Sequence, residues 1–175
     1  MGRVALEALI PTAARSGEIQ GDLVRARPGS SIVNDPARRM KMGRVHVVAL
    51  APEAAAVFER AKAFKVGASE LVFPSQNVKK PLSDMTLLKI LRDMDLAVTV
   101  HGFRSAFRDR VAEQTDYSEE VAEAALSHTV SNKVEAAYRR TDFLDKRWLL
   151  MRGWAVFCKR TPPASEDSQD KGASA

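Results

Sequence analysis

Three short segments of this chain combine residue types that could act on a phosphodiester: residues 101–104 (HGFR), 126–129 (LSHT) and 137–140 (AYRR). An arginine presents a planar, charged fork to phosphate oxygens, a histidine can move a proton, and a tyrosine hydroxyl can act as a nucleophile. Each segment alone has an ordinary explanation, because such a histidine is usually a cap or structural and a lone tyrosine is usually in the core or on the surface. The order and spacing of the three segments together support the chemical interpretation.

The composition limits the classes of protein to which the chain can belong. Of its 175 residues, 45% are hydrophobic and 28% are charged, which is typical of one globular domain with a real core. The net charge of +5 and the isoelectric point near 9.6 make a polyanion a reasonable partner. A single cysteine, Cys158, excludes a disulfide framework and favours a reducing compartment. With neither a signal-peptide pattern nor a membrane-spanning run, we expect a cytoplasmic protein without a membrane partner.

The sequence contains neither a glycine-rich phosphate-binding loop nor a set of carboxylates spaced to hold Mg²⁺. We therefore expect no nucleotide, no metal site and no other cofactor. This absence argues against a metal-dependent nuclease or transposase.

Hydrophobic periodicity and capping residues predict a mostly α-helical domain with a small antiparallel β-sheet near its N-terminus. Phe103, Phe107 and Val111 are spaced four residues apart, which predicts a buried helical stripe. Helices are expected at 3–14, 52–65, from a cap at Ser83 to Met94, at 102–114, after a cap at Ser118, at 132–139 and at 142–159.

The remaining segments are predicted to be non-helical. A strand is expected at 45–50, with a hairpin tip at 41–44 before it. Residues 15–18 are typical of a turn, and 22–38 are rich in Gly, Pro, Ser and Arg without a clear period, which predicts irregular chain. A disordered tail, 161–175, is expected to follow a single domain of residues 1–160.

The arrangement of HxxR, a later histidine and then a tyrosine resembles the catalytic domain of the phage-integrase family of tyrosine recombinases. Residues 12–18 (TAARSGE) are similar to the first arginine motif of that family, and Lys41 resembles its β-hairpin lysine. Residues 71–75 (LVFPS) and 81–83 (PLS) resemble the branch carried by prophages and genomic islands. The resemblance covers most of residues 5–158, with a gap at 22–38.

This resemblance implies site-specific DNA recombination, both integration and excision, by cleavage and rejoining through a 3′-phosphotyrosyl intermediate. It implies that Tyr138 is the nucleophile and that Glu18 orients the first arginine. The residues expected to assist are Arg15, Lys41, His101, Arg104 and His128. The partners implied are double-stranded DNA, three further copies in a tetramer on DNA, and a directionality factor.

Other residues have two interpretations. Lys133, Arg139 and Arg140 form either a solvated face or DNA-phosphate contacts, and the setting favours the contacts. His46 lies between apolar residues and is either structural or a DNA-backbone contact. Tyr117, the other tyrosine, has acidic neighbours that would repel phosphate, which argues against it as the nucleophile.

Two departures from the family leave alternatives open. Family members usually carry arm-binding and core-binding domains, which we expect to be absent here because the chain starts almost at the first arginine motif. The atypical segment 22–38 is interpreted as a frameshifted stretch, which the nucleotide sequence of the gene would test. The alternative function is an inactive integrase fragment with weak, non-specific DNA binding. A type IB topoisomerase uses similar chemistry, but the segments typical of island integrases argue against it.

Overall fold

The computed structural model describes residues 1–21, 25–27, 31–33, 47–64, 71–77, 80–126 and 143–160. The prediction of a mostly helical domain is confirmed in these residues. Their seven helices are α1 Gly2–Thr12, α2 Ser16–Gly21, α3 Pro52–Ala63, α4 Asp84–Asp93, α5 Gly102–Gln114, α6 Glu119–Ala125 and α7 Leu144–Cys158. None of them is both long and apolar enough to cross a lipid bilayer.

The extended segments are short. Strands β1 Arg25–Arg27, β2 Ser31–Val33 and β3 Val47–Ala49 pair antiparallel in that order, with Ile32 opposite Val48. Strands β1 and β2 both lie within residues 22–38. The expectation of irregular chain in this segment is therefore wrong for the residues that form these two strands. The predicted hairpin tip at 41–44, the helix at 132–139 and the tail at 161–175 lie outside the described residues.

The first core cluster joins α1, α3 and α4. Leu9, Phe58, Leu87 and Leu91 are at most 1% exposed, and Phe58 packs against Phe73 with ring centroids 5.6 Å apart. Leu87 and Leu91 are one helical turn apart, so they lie on the same face of α4. Burial of such side chains is worth about 1.5–3 kcal/mol each, which makes this face the main anchor of α4.

The second cluster joins α5, α6 and α7. Phe107 and Val111 are buried in it as predicted, and Phe107 meets Trp154 of α7 edge-on with ring centroids 5.5 Å apart. Phe103 is only partly buried and packs against the first cluster. Helix α5 therefore lies between the two clusters. The end of α1 lies there too, because Ala13 belongs to the second cluster and Ala14 to the first.

The assignment of residues 15–18 to a turn is wrong, because α2 begins at Ser16. The carboxylate of Glu18 accepts a hydrogen bond from the backbone N–H of Arg15 at 2.8 Å, three residues earlier. This bond forms half of a capping box and satisfies a donor at the start of α2. The helix continues from this cap into the buried Ile19.

Candidate active site

Three of the six predicted catalytic residues, Arg15, His101 and Arg104, lie within the described residues, together with Glu18. The other predicted site residues lie outside them: Lys41, His46, His128, Lys133, Tyr138, Arg139 and Arg140. The structure therefore gives the surroundings of the arginines and of one histidine, and the catalytic roles of all these residues stay predictions.

The C-terminal end of α1 leads directly into the segment that carries Arg15. Ala13 has left-handed backbone angles, φ 48° and ψ 26°, and its N–H donates to the carbonyl of Ile10 at 3.2 Å. The hydroxyl of the buried Thr12 donates to the carbonyl of Ala8 at 2.8 Å. The indole N–H of Trp154 donates to the Ile10 carbonyl at 2.8 Å. The carbonyl of Ile10, one of the last four of α1, is thus satisfied by the N–H of Ala13 and by the indole of Trp154 from another helix.

Arg104 joins three elements from a buried position. Its side chain lies in α5 and is only 3% exposed as a residue. One terminal nitrogen donates to the carbonyl of Ala13 at 2.8 Å, and the other donates to the carbonyl of Leu126, at the end of α6. Ala13 precedes Arg15 by two residues, and Leu126 precedes His128 by two residues. Arg104 therefore holds the main chain two residues before Arg15 and two residues before His128. His128 itself lies outside the described residues.

The surroundings of Arg104 are electrostatically unfavourable for its charge. Burial lowers the pKa of Arg104 to about 10, and the positive charge of Arg15 is the second largest cause of this shift. The group remains protonated at neutral pH. Its Nε atom is buried and has no hydrogen-bond partner among the described residues. A charged, buried group with an unused donor beside a second arginine has the chemistry of an anion site.

Arg15 is accessible, in contrast to Arg104. Its side chain is 44% exposed, and one terminal nitrogen pairs with the carboxylate of Glu18 at 2.7 Å. The same carboxylate accepts from the backbone N–H of Arg15, so Glu18 restrains both the main chain and the side chain. The structure thus places Glu18 where it can orient Arg15. The other donors of the exposed guanidinium remain available to a ligand.

His101 precedes α5 and is exposed. Its side chain makes no capping hydrogen bond, because the hydroxyl of Thr99 accepts from the N–H of Gly102 at 3.0 Å instead. His101 therefore occupies the N-cap position of α5 without capping the helix through its side chain. Its position three residues before Arg104 puts both side chains on the same side of the first turn of α5.

Tyr117 lies in an acidic part of the molecule. It lines a cleft of about 490 Å³ between α5 and α6, together with Arg108 and the carboxylates of Asp109, Glu119 and Glu123. One arginine faces three carboxylates there, and it pairs with Glu123 at 3.0 Å. The negative excess would repel a phosphate, which agrees with the sequence argument against Tyr117. In the described part of the chain, no group of three His, Cys, Asp or Glu side chains could hold a metal ion.

Sequence reasoning missed Trp154 as a neighbour of the arginine site. Trp154 lies 144 residues from its bonding partner Ile10, and Arg104 lies 91 residues from Ala13. Local periodicity carries no information on such pairs. The sequence indicated only that Trp154 lies on the apolar side of the last helix, and it gave no indication of a contact with Ile10.

The chain is similar to several phage and prophage integrases. It is 35% identical over 133 residues to prophage integrase IntA of Escherichia coli (strain K12), an alignment that covers 74% of this chain and 32% of IntA. It is 36% identical over 126 residues to the integrase of Enterobacteria phage P4, covering 69% of this chain and 28% of that protein. It is 30% identical over 158 residues to prophage integrase IntZ of E. coli (strain K12), covering 87% of this chain and 38% of IntZ.

The chain spans about a third of the length of the curated relatives it matches. No protein-family model matches it.

Proposed function

This chain belongs to the phage-integrase family of tyrosine recombinases, and from that premise we propose that it is a catalytic domain that cleaves and rejoins DNA in site-specific integration and excision. One observation carries the proposal. Two arginines that are distant in sequence, Arg15 and Arg104, are linked through the carbonyl of Ala13 and are close enough to lower the pKa of Arg104. A bound phosphate would offset the repulsion between them.

The proposed reaction is a transesterification with Tyr138 as the nucleophile. The phenol oxygen attacks phosphorus and loses its proton, the bond to the 5′ oxygen breaks, and a 3′-phosphotyrosyl bond forms. Lys41 protonates the departing 5′ oxygen, because a lysine crowded by arginines has a lowered pKa and releases its proton more readily. A 5′ hydroxyl then reverses the step on another strand, so rejoining needs no nucleotide cofactor.

The positive groups of the site would stabilise the transition state. Charge gathers on the two non-bridging phosphate oxygens, and Arg15 and Arg104 would each contribute roughly 3–4 kcal/mol there, by comparison with oxyanion-hole donors. His101 and His128 add hydrogen bonds to the same oxygens, and one of them takes the proton of Tyr138. A free tyrosine has a pKa of about 10, so nearby cations are needed to favour its phenolate.

Double-stranded DNA is the proposed partner, with Lys133, Arg139, Arg140 and His46 as contacts. As proposed for the family, four copies act on two DNA duplexes with a directionality factor, in the bacterial cytoplasm. The second candidate function is an inactive fragment that binds DNA weakly and without sequence preference.

A suicide DNA substrate that traps covalent protein–DNA adducts tests the proposal. The full chain is expected to form adducts, and Tyr138→Phe is expected to abolish them, because only the nucleophilic hydroxyl is removed. Tyr117→Phe is the matched control, and it should retain adduct formation. Absence of adducts with the unmodified chain would support the inactive-fragment function, and adducts with Tyr138→Phe would refute the assignment of the nucleophile.

A further inference from the structure

We propose that Trp154 of α7 is a positioning residue for the two arginines and acts on them through the main chain at the end of α1. The catalytic consequence rests on the proposed function, whereas the structural coupling does not. Trp154 donates to neither guanidinium, since its indole N–H donates to the carbonyl of Ile10.

Three hydrogen bonds in series connect Trp154 to the site. The carbonyl of Ile10 accepts from Trp154 at 2.8 Å and from the N–H of Ala13 at 3.2 Å. The carbonyl of Ala13 accepts from Arg104 at 2.8 Å. Arg15 follows Ala13 by two residues. The indole therefore bonds to the same peptide oxygen that closes the turn between α1 and Arg15.

The turn at Ala13 needs such support. Its left-handed backbone is sterically unfavourable for a residue with a Cβ atom. Strained backbone persists only where the surrounding contacts determine it. Here the determining contacts are Trp154 on one side of the turn and Arg104 on the other. Loss of the Trp154 bond should let the turn open more often and move both arginines relative to each other.

The ring of Trp154 is held independently of its N–H. It meets Phe107 edge-on at 5.5 Å and stacks on Phe157 at 5.6 Å between centroids. A phenylalanine at position 154 would keep an aromatic ring in this cluster and remove only the donor and part of the ring volume. Trp154→Phe is therefore expected to loosen the turn without undocking α7.

Trp148 provides a matched control on the same helix. Its ring lies under the guanidinium of Arg152 at 5.6 Å, and its indole has no hydrogen bond among the described residues. Trp148→Phe removes the same chemical group and the same ring volume without touching Ile10. A difference between the two variants thus reports the bond to Ile10.

Amide hydrogen exchange on the full chain tests the structural coupling. Trp154→Phe is expected to raise exchange at the amides of Ala13 and Arg15 about fivefold, while the amides of α5 and α6 keep their protection. Trp148→Phe should leave all of these amides unchanged. Equal exchange at Ala13 in both variants and the unmodified chain would overturn the proposal, as would a uniform rise across α5 and α6.

A phosphate titration gives the second measurement. The Nε–H signals of Arg15 and Arg104 are followed by NMR as inorganic phosphate is added. Trp154→Phe is expected to need a several-fold higher phosphate concentration for half-saturation than the unmodified chain, and Trp148→Phe should match the unmodified chain. An unchanged midpoint in Trp154→Phe would overturn the positioning role. Because neither measurement requires strand cleavage, failure of the suicide-substrate test would refute the proposed function alone.

Discussion

Arg104 combines a structural and a proposed chemical task in one guanidinium. A guanidinium has five N–H donors, and two of its nitrogens are used here on the carbonyls of Ala13 and Leu126. The buried Nε–H lies in the same plane and has no partner among the described residues. Because burial and Arg15 disfavour the charge of Arg104, binding of an anion would raise the pKa of Arg104 again. The positive charges around Arg104 would therefore favour the binding of a phosphate.

Replacement of Arg104 by lysine should destabilise the fold. A lysine has a single nitrogen and cannot reach both carbonyls in the fork geometry of an arginine, so one buried carbonyl loses its partner. We expect Arg104→Lys to lower the free energy of unfolding by about 1–3 kcal/mol, measured by urea denaturation. Arg108→Lys, one turn later on α5, is the control. Its exposed ion pairs should contribute less than about 1 kcal/mol. Equal losses in both variants would contradict the structural role of Arg104.

At the scale of elements, the end of α4 shows a Schellman motif without its usual glycine. The N–H of Leu96 donates to the carbonyl of Leu91 at 3.0 Å, and the N–H of Asp95 donates to that of Arg92 at 2.9 Å. These are the two bonds of the motif. Asp95 occupies the left-handed position with φ 55°, where glycine has no steric cost. Its negative charge also lies at the unfavourable end of the helix dipole.

Asp95→Gly should therefore stabilise the protein by roughly 0.5–1 kcal/mol, since it relieves both effects at an exposed position. Asp93→Gly is the matched control, because it makes the same substitution two residues earlier. Asp93 lies within α4 and pairs with Lys89 at 3.0 Å, so its replacement should destabilise by about 1 kcal/mol. Thermal unfolding of the two variants would show midpoints displaced in opposite directions. A lower midpoint for Asp95→Gly would contradict the interpretation of this helix end.

Helices whose apolar pattern repeats over several turns were predictable from the sequence. Very short helices and contacts between residues distant in sequence were not. Helix α5 was predicted at 102–114 and is observed at Gly102–Gln114, because Phe107 and Val111 mark its buried face. The six-residue α2 is too short for a periodic signal, and its cap depends on Glu18 reaching back to Arg15. The Trp154 contact depends on how α7 packs against α1, which local sequence does not encode.

At the scale of the whole molecule, charge is unevenly distributed. The chain carries a net charge of +5, yet the cleft between α5 and α6 holds three carboxylates against Arg108. The arginine site lies instead where the two core clusters meet, at the end of α1. A polyanion is therefore expected to approach the side of Arg15 and His101, which are both exposed, and to avoid the cleft beside Tyr117.

This charge distribution predicts how the 175-residue chain binds DNA. A net charge of +5 supplies few phosphate contacts, so we expect weak, sequence-indifferent binding by these 175 residues, with a dissociation constant on the order of 10⁻⁴–10⁻⁶ M at physiological salt. Fluorescence anisotropy over a series of salt concentrations gives the affinity for DNA, and the slope of its salt dependence gives the number of phosphate contacts. Arg139→Gln with Arg140→Gln should reduce the salt slope by about 2, since each proposed contact contributes about 0.9. Arg108→Gln, in the acidic cleft, should leave the slope unchanged. Tight, site-specific binding by this chain alone, or an equal effect of Arg108→Gln, would contradict the prediction.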